Sequence, residues 1–170
     1  PCQKFTQMSA RWRGKGGKAD SHPDLLTPTS ALLTRFHQPW IIENVQGARN
    51  HMATTVVLHG GMFGLGVHRP RLFESNVMLL APSCSTRTVL PIGVYGTRPD
   101  GRTTYRYRNN GNMQGKSLIR AATSIEEARE AMGIAWMTWD EIREALPPSY
   151  TFFLGAQLIR ALANPADVAI

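Results

Sequence analysis

The chain has little of what would staple, chelate or anchor it. It has two cysteines, Cys2 and Cys84, far apart and in no Cys-x-x-Cys pair. Its five histidines (His22, His37, His51, His59 and His68) show none of the short spacings of a zinc site. Neither a disulfide framework nor a bound metal is therefore expected. No apolar run approaches the roughly 18 residues of a membrane span. The opening Pro1-Cys2-Gln3-Lys4 lacks both an initiator methionine and the charged-then-apolar shape of a signal peptide. These absences lead us to expect a soluble, cytoplasmic protein without a membrane partner, represented here by a piece cut from a longer chain. Acid is scarce too: 12 Asp and Glu stand against 19 Lys and Arg, a net charge of +7.

The excess positive charge is clustered. Lys4, Arg11, Arg13, Lys15 and Lys18 form one stretch, and Arg98, Arg102, Arg106, Arg108, Lys116 and Arg120 form another. Such fields attract polyanions, nucleic acid first among them. Solvated loops carry similar runs, so charge alone does not decide.

What is present suits one globular domain, since 42% of residues are hydrophobic and 18% charged. No internal repeat is visible. Residues 1–28 are rich in Gly, Lys, Arg, Ser and Pro without helical or strand period, and read as a long loop. A short helix is expected over Thr29 to Phe36, ended by Pro39, followed by a buried strand at Trp40-Ile41-Ile42 that closes on Glu43-Asn44. Further strands are expected over Thr54 to Leu58 and Arg71 to Leu80, separated by the glycine-rich His59 to Gly66. From Ala81 to Thr123 the texture changes to turns and short polar strands. Capping boxes at Ser124 with Glu127 and Thr138 with Glu141 then start two helices, the second ended by Pro147-Pro148. A last helix is expected to bury Phe152, Phe153, Leu158, Ile159 and Leu162.

Three short groups stand out in order: Pro1-Cys2-Gln3 ahead of the basic loop, Glu43-Asn44-Val45 at a strand end, and Arg69-Pro70-Arg71-Leu72-Phe73 after the glycine-rich turn. Their order and spacing resemble the cytosine-C5 DNA methyltransferases, of bacterial or phage type. That family has a Pro-Cys-Gln nucleophile loop, a Glu-Asn-Val strand end and an Arg-x-Arg-x-Phe strand. The His59 to Gly66 turn and the Ala128 to Gly133 helix are similar to the family as well, and the likeness is weakest between 81 and 123. One departure is Val67, where the family often carries Gln. A second is that the family's glycine-rich cofactor turn precedes the nucleophile loop, and this sequence starts at that loop, so that half of the cofactor site is not expected within it.

The resemblance implies an α/β fold: part of a Rossmann-like S-adenosyl-methionine-dependent methyltransferase domain. The catalytic core would cover 1–80, a small β-rich target-recognition lobe 81–123, and C-terminal helices returning to the core 124–170. It implies Cys2 as the nucleophile that adds to C6 of a flipped cytosine, and Glu43 as the acid at N3 and the exocyclic amine. Arg71 would hold the base O2, and Arg69 would brace the site or the backbone. S-adenosyl-L-methionine would be the cosubstrate, with Tyr150 and Thr151 in the far wall of its pocket. The partner would be double-stranded DNA, bound by a monomer. The base must leave the stack, and Gln3, Lys4, Arg11, Arg13, Lys15 and Lys18 are candidates to close over it. In the lobe, Arg102, Arg106 and Arg108, with Asn110, are candidate readers of sequence. Such an enzyme fits restriction-modification or phage self-protection.

Two other readings compete. Gly111 to Ser117 ends in Gly-Lys-Ser like a phosphate-binding loop, but has three residues between its glycines where four are required. The other is a DNA-binding remnant of a methyltransferase, which would keep the basic surfaces and not depend on Cys2.

Overall fold

The computed structural model describes residues 2–6, 14–15, 21–84, 91–95, 99 and 120–164. It is a mixture of helix and sheet, in agreement with the α/β class at that level. By internal contact the chain divides into two compact units: Pro1–Leu58, Pro70–Ala81 and Leu154–Ile170 form the first, His59–Arg69 and Pro82–Phe153 the second. Most of the expected recognition lobe lies outside the described residues.

The first unit is built on helix α1 (Leu26–Leu33) and three strands, β1 (Ile41–Asn44), β2 (Thr55–Leu58) and β3 (Arg71–Ser75). Helix α1 starts and ends three residues earlier than its apolar pattern suggested. The cause is Asp24, whose carboxylate accepts from the backbone N–H of Leu26 (3.1 Å) and Thr27 (3.2 Å) and so satisfies two of the orphan donors of the first turn. Pro28 then falls inside that first turn, where its missing N–H costs nothing.

Strand β3 pairs antiparallel with both β1 and β2 and lies between them, so β1 and β2 run parallel to each other. The expected strand over Arg71 to Leu80 stops at Ser75. There the Asn76 amide takes over from the ladder: its oxygen accepts from the Trp40 N–H (2.9 Å) and its nitrogen donates to the Gln38 carbonyl (3.1 Å). Glu43 stands opposite Phe73, and Asn44 opposite Leu72. Side chains alternate along a strand, so Ile42, Asn44, Leu72 and Glu74 share one face and Glu43, Arg71 and Phe73 the other. Ile42 and Leu72 join Phe5, Leu26, Ala48 and Met52 in a buried cluster.

The second unit has its own core of Val67, Val94, Ala128, Met132, Ile134, Trp139 and Ile142. Around it lie the short parallel pair β4 (Ile92–Gly93) and β5 (Arg120–Ala121), then helices α2 (Ile125–Met132) and α3 (Trp139–Ile142). Ser124 caps α2 by accepting from the Glu127 N–H at 3.1 Å. The return half of that box is diverted, because the Glu127 carboxylate bonds Thr123 and Arg120 instead. The Thr138 and Glu141 box closes in both directions. Gly133 ends α2 at φ 67°, the left-handed conformation a C-terminal cap favours.

Helix α4 (Pro148–Ala163) begins at the proline that was expected to end α3; its ring suits a first helical position, and α3 has already stopped at Ile142. The residues of α4 up to Phe153 cluster with the second unit and those from Leu154 with the first. The apolar face expected for this helix is wrong in phase. Tyr150, Leu154 and Ala161 are buried, whereas Phe152 is 81% exposed and Ile159 69%. Tyr150 and Leu154 are one turn apart and fall together, while Phe152 and Ile159, seven residues apart, share a different face. Large side chains marked the helix, but the smaller spacing pattern set which side is covered.

Candidate active site

Among the described residues, several side chains expected to be functional have a local reason for their position. Glu43 is at the end of β1 and Arg71 at the start of β3. The register puts Phe73 opposite Glu43, and Arg71 is two residues along the same strand, so the two are diagonal neighbours on one sheet face. Their side chains meet: Arg71 Nε lies 2.8 Å from Glu43 Oε1, and another guanidinium nitrogen donates to the Pro70 carbonyl at 3.0 Å. The Arg71 side chain is 13% exposed and that of Glu43 32%, a site open on one side. The structure gives Glu43 a cationic partner, and toward that partner Glu43 is an acceptor.

Cys2 begins a 3-10 turn, Gln3–Phe5, closed by the Phe5 N–H donating to the Cys2 carbonyl at 2.9 Å. Its thiol is free of any disulfide and half-buried. The rest of the turn is tethered. Phe5 is 3% exposed, its ring centroid 4.9 Å from that of His51. Lys4 Nζ sits 3.3 Å from the Asp24 carboxylate. The hydrogen bond from the Thr27 N–H, the largest influence, together with the Thr27 hydroxyl and the Lys4 pair lowers the Asp24 pKa from 3.8 to about 2. Asp24 thus caps α1 and straps the Cys2 turn, a double role the sequence reading missed. Its signal was an acid two residues before the helix.

Arg69 has a different environment. It is fully buried, at φ 23°, and belongs to the second unit. Its guanidinium donates to the carbonyls of Val94 (3.3 Å) and Arg143 (2.6 Å) and stands 5.9 Å from the Tyr95 ring centroid. These contacts make it a brace between backbone segments. Tyr150 donates its hydroxyl to the Arg69 carbonyl at 3.0 Å and packs its ring 5.1 Å from that of Phe63. Thr151 is exposed and donates to the Pro148 carbonyl at 3.0 Å. Both hydroxyls are engaged by the chain itself, and Tyr150 is fully buried.

Among the DNA-binding candidates, Gln3 and Lys15 are exposed and Lys4 half-buried. Arg11, Arg13, Lys18, Arg102, Arg106, Arg108 and Asn110 lie outside the described residues, as does the Gly111 to Ser117 segment. Among the described residues no cluster of three or more His, Cys, Asp or Glu could hold a metal ion, and no helix is long and apolar enough to cross a membrane.

The first unit thus brings Glu43 and Arg71 together and carries the Cys2 turn, while the second holds Arg69 and Tyr150. Compared with family models, with curated proteins and with solved structures, the chain finds no match.

Proposed function

We propose that this chain is the catalytic part of a DNA cytosine-C5 methyltransferase, within a Rossmann-like domain that acts as a monomer on a flipped cytosine. The observation that carries the reading is the pairing of Glu43 with Arg71 at 2.8 Å, reached across a strand pair from two separate motifs. Cytosine presents O2, N3 and the exocyclic amine side by side along one edge. A guanidinium beside a carboxyl is matched to that edge: Arg71 donates to O2, and Glu43 faces N3 and the amine.

The chemistry follows from these residue types. The Cys2 thiolate adds to C6, forming an S–C6 bond while the C5–C6 π pair moves toward N3, where Glu43 in its protonated form donates, Arg71 having turned from the carboxylate to O2. The added sulfur makes C5 nucleophilic. The resemblance implies that S-adenosyl-L-methionine supplies the methyl group that C5 accepts. A solvent base then takes the C5 proton, its electron pair re-forms the C5–C6 double bond and expels the Cys2 thiolate, and N3 returns its proton to Glu43. Thiolate suits both ends of this cycle because it is a good nucleophile and a good leaving group.

The test uses the protein expressed from its full reading frame, incubated with DNA containing 5-fluorocytosine and the methyl donor. A covalent adduct at Cys2, lost in Cys2→Ser, is expected. Absence of any adduct from the unaltered protein refutes the enzymatic reading. The alternative is a DNA-binding remnant, under which Cys2→Ser leaves DNA affinity unchanged and no adduct ever forms.

A further inference from the structure

Gly47 lies four residues after Glu43, in the 3-10 turn Gln46–His51 that follows β1. A Cβ at this position would sit 2.0 Å from the Phe5 carbonyl oxygen and 3.2 Å from its carbon. Both are backbone atoms, so no side-chain rotation relieves the clash. Phe5 itself cannot withdraw cheaply, because its ring is buried against His51 and its N–H closes the turn onto the Cys2 carbonyl.

We infer that Gly47 is a positioning residue for Cys2: the absence of a side chain there lets the nucleophile turn seat directly on the turn that continues from Glu43. The inference rests on the proposed methyltransferase reading. It adds that the thiol and the carboxyl are held in register through two backbone turns in contact, with Phe5 as the plug and the Lys4 to Asp24 ion pair as an outer strap. Displacement of a reacting group by about 1 Å costs on the order of 100-fold in rate, and any side chain at Gly47 forces a shift of that size on the Phe5 carbonyl or on the turn around it.

The test measures two rates in the full-reading-frame protein: adduct formation with 5-fluorocytosine DNA plus methyl donor, and alkylation of Cys2 by iodoacetamide, with exposed Cys84 as the internal reference. Gly47→Ala is expected to slow adduct formation by about 100-fold. It should also change the Cys2 alkylation rate relative to Cys84, while DNA affinity stays within about threefold. Asp24→Asn keeps an oxygen to cap α1 but removes the charge that holds Lys4, and is expected to slow adduct formation by several-fold with the fold intact. If Gly47→Ala does not fold, Asp24→Asn and Phe5→Leu carry the test, and wild-type rates in both overturn the inference. Wild-type adduct and alkylation rates in a folded Gly47→Ala protein overturn it directly. Failure of the unaltered protein to form any adduct sinks the methyltransferase reading instead. The alkylation comparison then decides the positioning claim, which an unchanged ratio of Cys2 to Cys84 overturns.

Discussion

Two arginines two residues apart have opposite surroundings. Arg71 is at a strand start beside a carboxylate, at a site partly open to solvent. Arg69 is buried, satisfies two main-chain carbonyls, and holds its own backbone in the left-handed region that non-glycine residues rarely adopt. Removing a buried, hydrogen-bonded charge leaves its acceptors dry and unpaired, at a cost of about 3 kcal/mol or more. Arg69→Ala should therefore lower the urea unfolding midpoint strongly, and Arg69→Lys should recover only part because a single ammonium cannot span both carbonyls. Arg71→Ala should leave the midpoint within about 1 kcal/mol of the unaltered protein and abolish the Cys2 adduct. Native stability in Arg69→Ala would show that the two carbonyls do not depend on it.

At the scale of elements, the ends and faces of helices are where stability and pH dependence should be read. In α4, Leu154→Ala empties a buried site and is expected to cost about 3 kcal/mol, whereas Phe152→Ser, on the exposed face, should shift stability by no more than about 0.5 kcal/mol. Equal losses in the two variants would overturn the phase assigned to this helix. At the start of α2, the hydrogen bond from Arg120, with further ones from Thr123, lowers the Glu127 pKa from 4.5 to about 2. A carboxylate with a depressed folded pKa contributes stability that is complete above its unfolded value and lost as pH falls toward the folded one. Acid titration should thus weaken the protein between about pH 4.5 and 2, and Glu127→Gln should flatten that part of the curve. An unchanged acid slope in the variant counts against the assignment.

Element identity was largely legible beforehand. Ile41-Ile42 and Thr55 to Leu58 announced their strands through β-branching, and Ser124 and Thr138 announced their helices through capping. What stayed hidden depends on partners distant in sequence. The early start of α1 depends on Asp24, the end of β3 on an Asn76 amide reaching Trp40, and the buried side of α4 on what packs against it. The site divides the same way. Motif order brought out Cys2, Glu43 and Arg71, but only the strand register pairs the latter two. Gly47 carries no chemical group, so nothing short of the Phe5 carbonyl beside it could mark it.

For the whole molecule, the net charge of +7 sets how any encounter with nucleic acid begins. Each phosphate neutralised releases condensed counterions, so affinity for duplex DNA should fall with salt at a slope set by the number of contacts. Lys4 is already paired with Asp24 and should contribute less than the exposed Lys15. With roughly half of the basic residues in the two stretches on phosphates, the plot of log affinity against log salt should have a slope of about −4 to −6, measured by fluorescence anisotropy. Lys15→Gln should reduce its steepness by about one, and Lys4→Gln by less. A slope near zero would remove nucleic acid as the partner and the methyltransferase reading with it. A steep slope in a protein that never forms the Cys2 adduct would leave a DNA-binding module. These two measurements together therefore separate a charge that would bring DNA to the molecule from a thiol that would act on it.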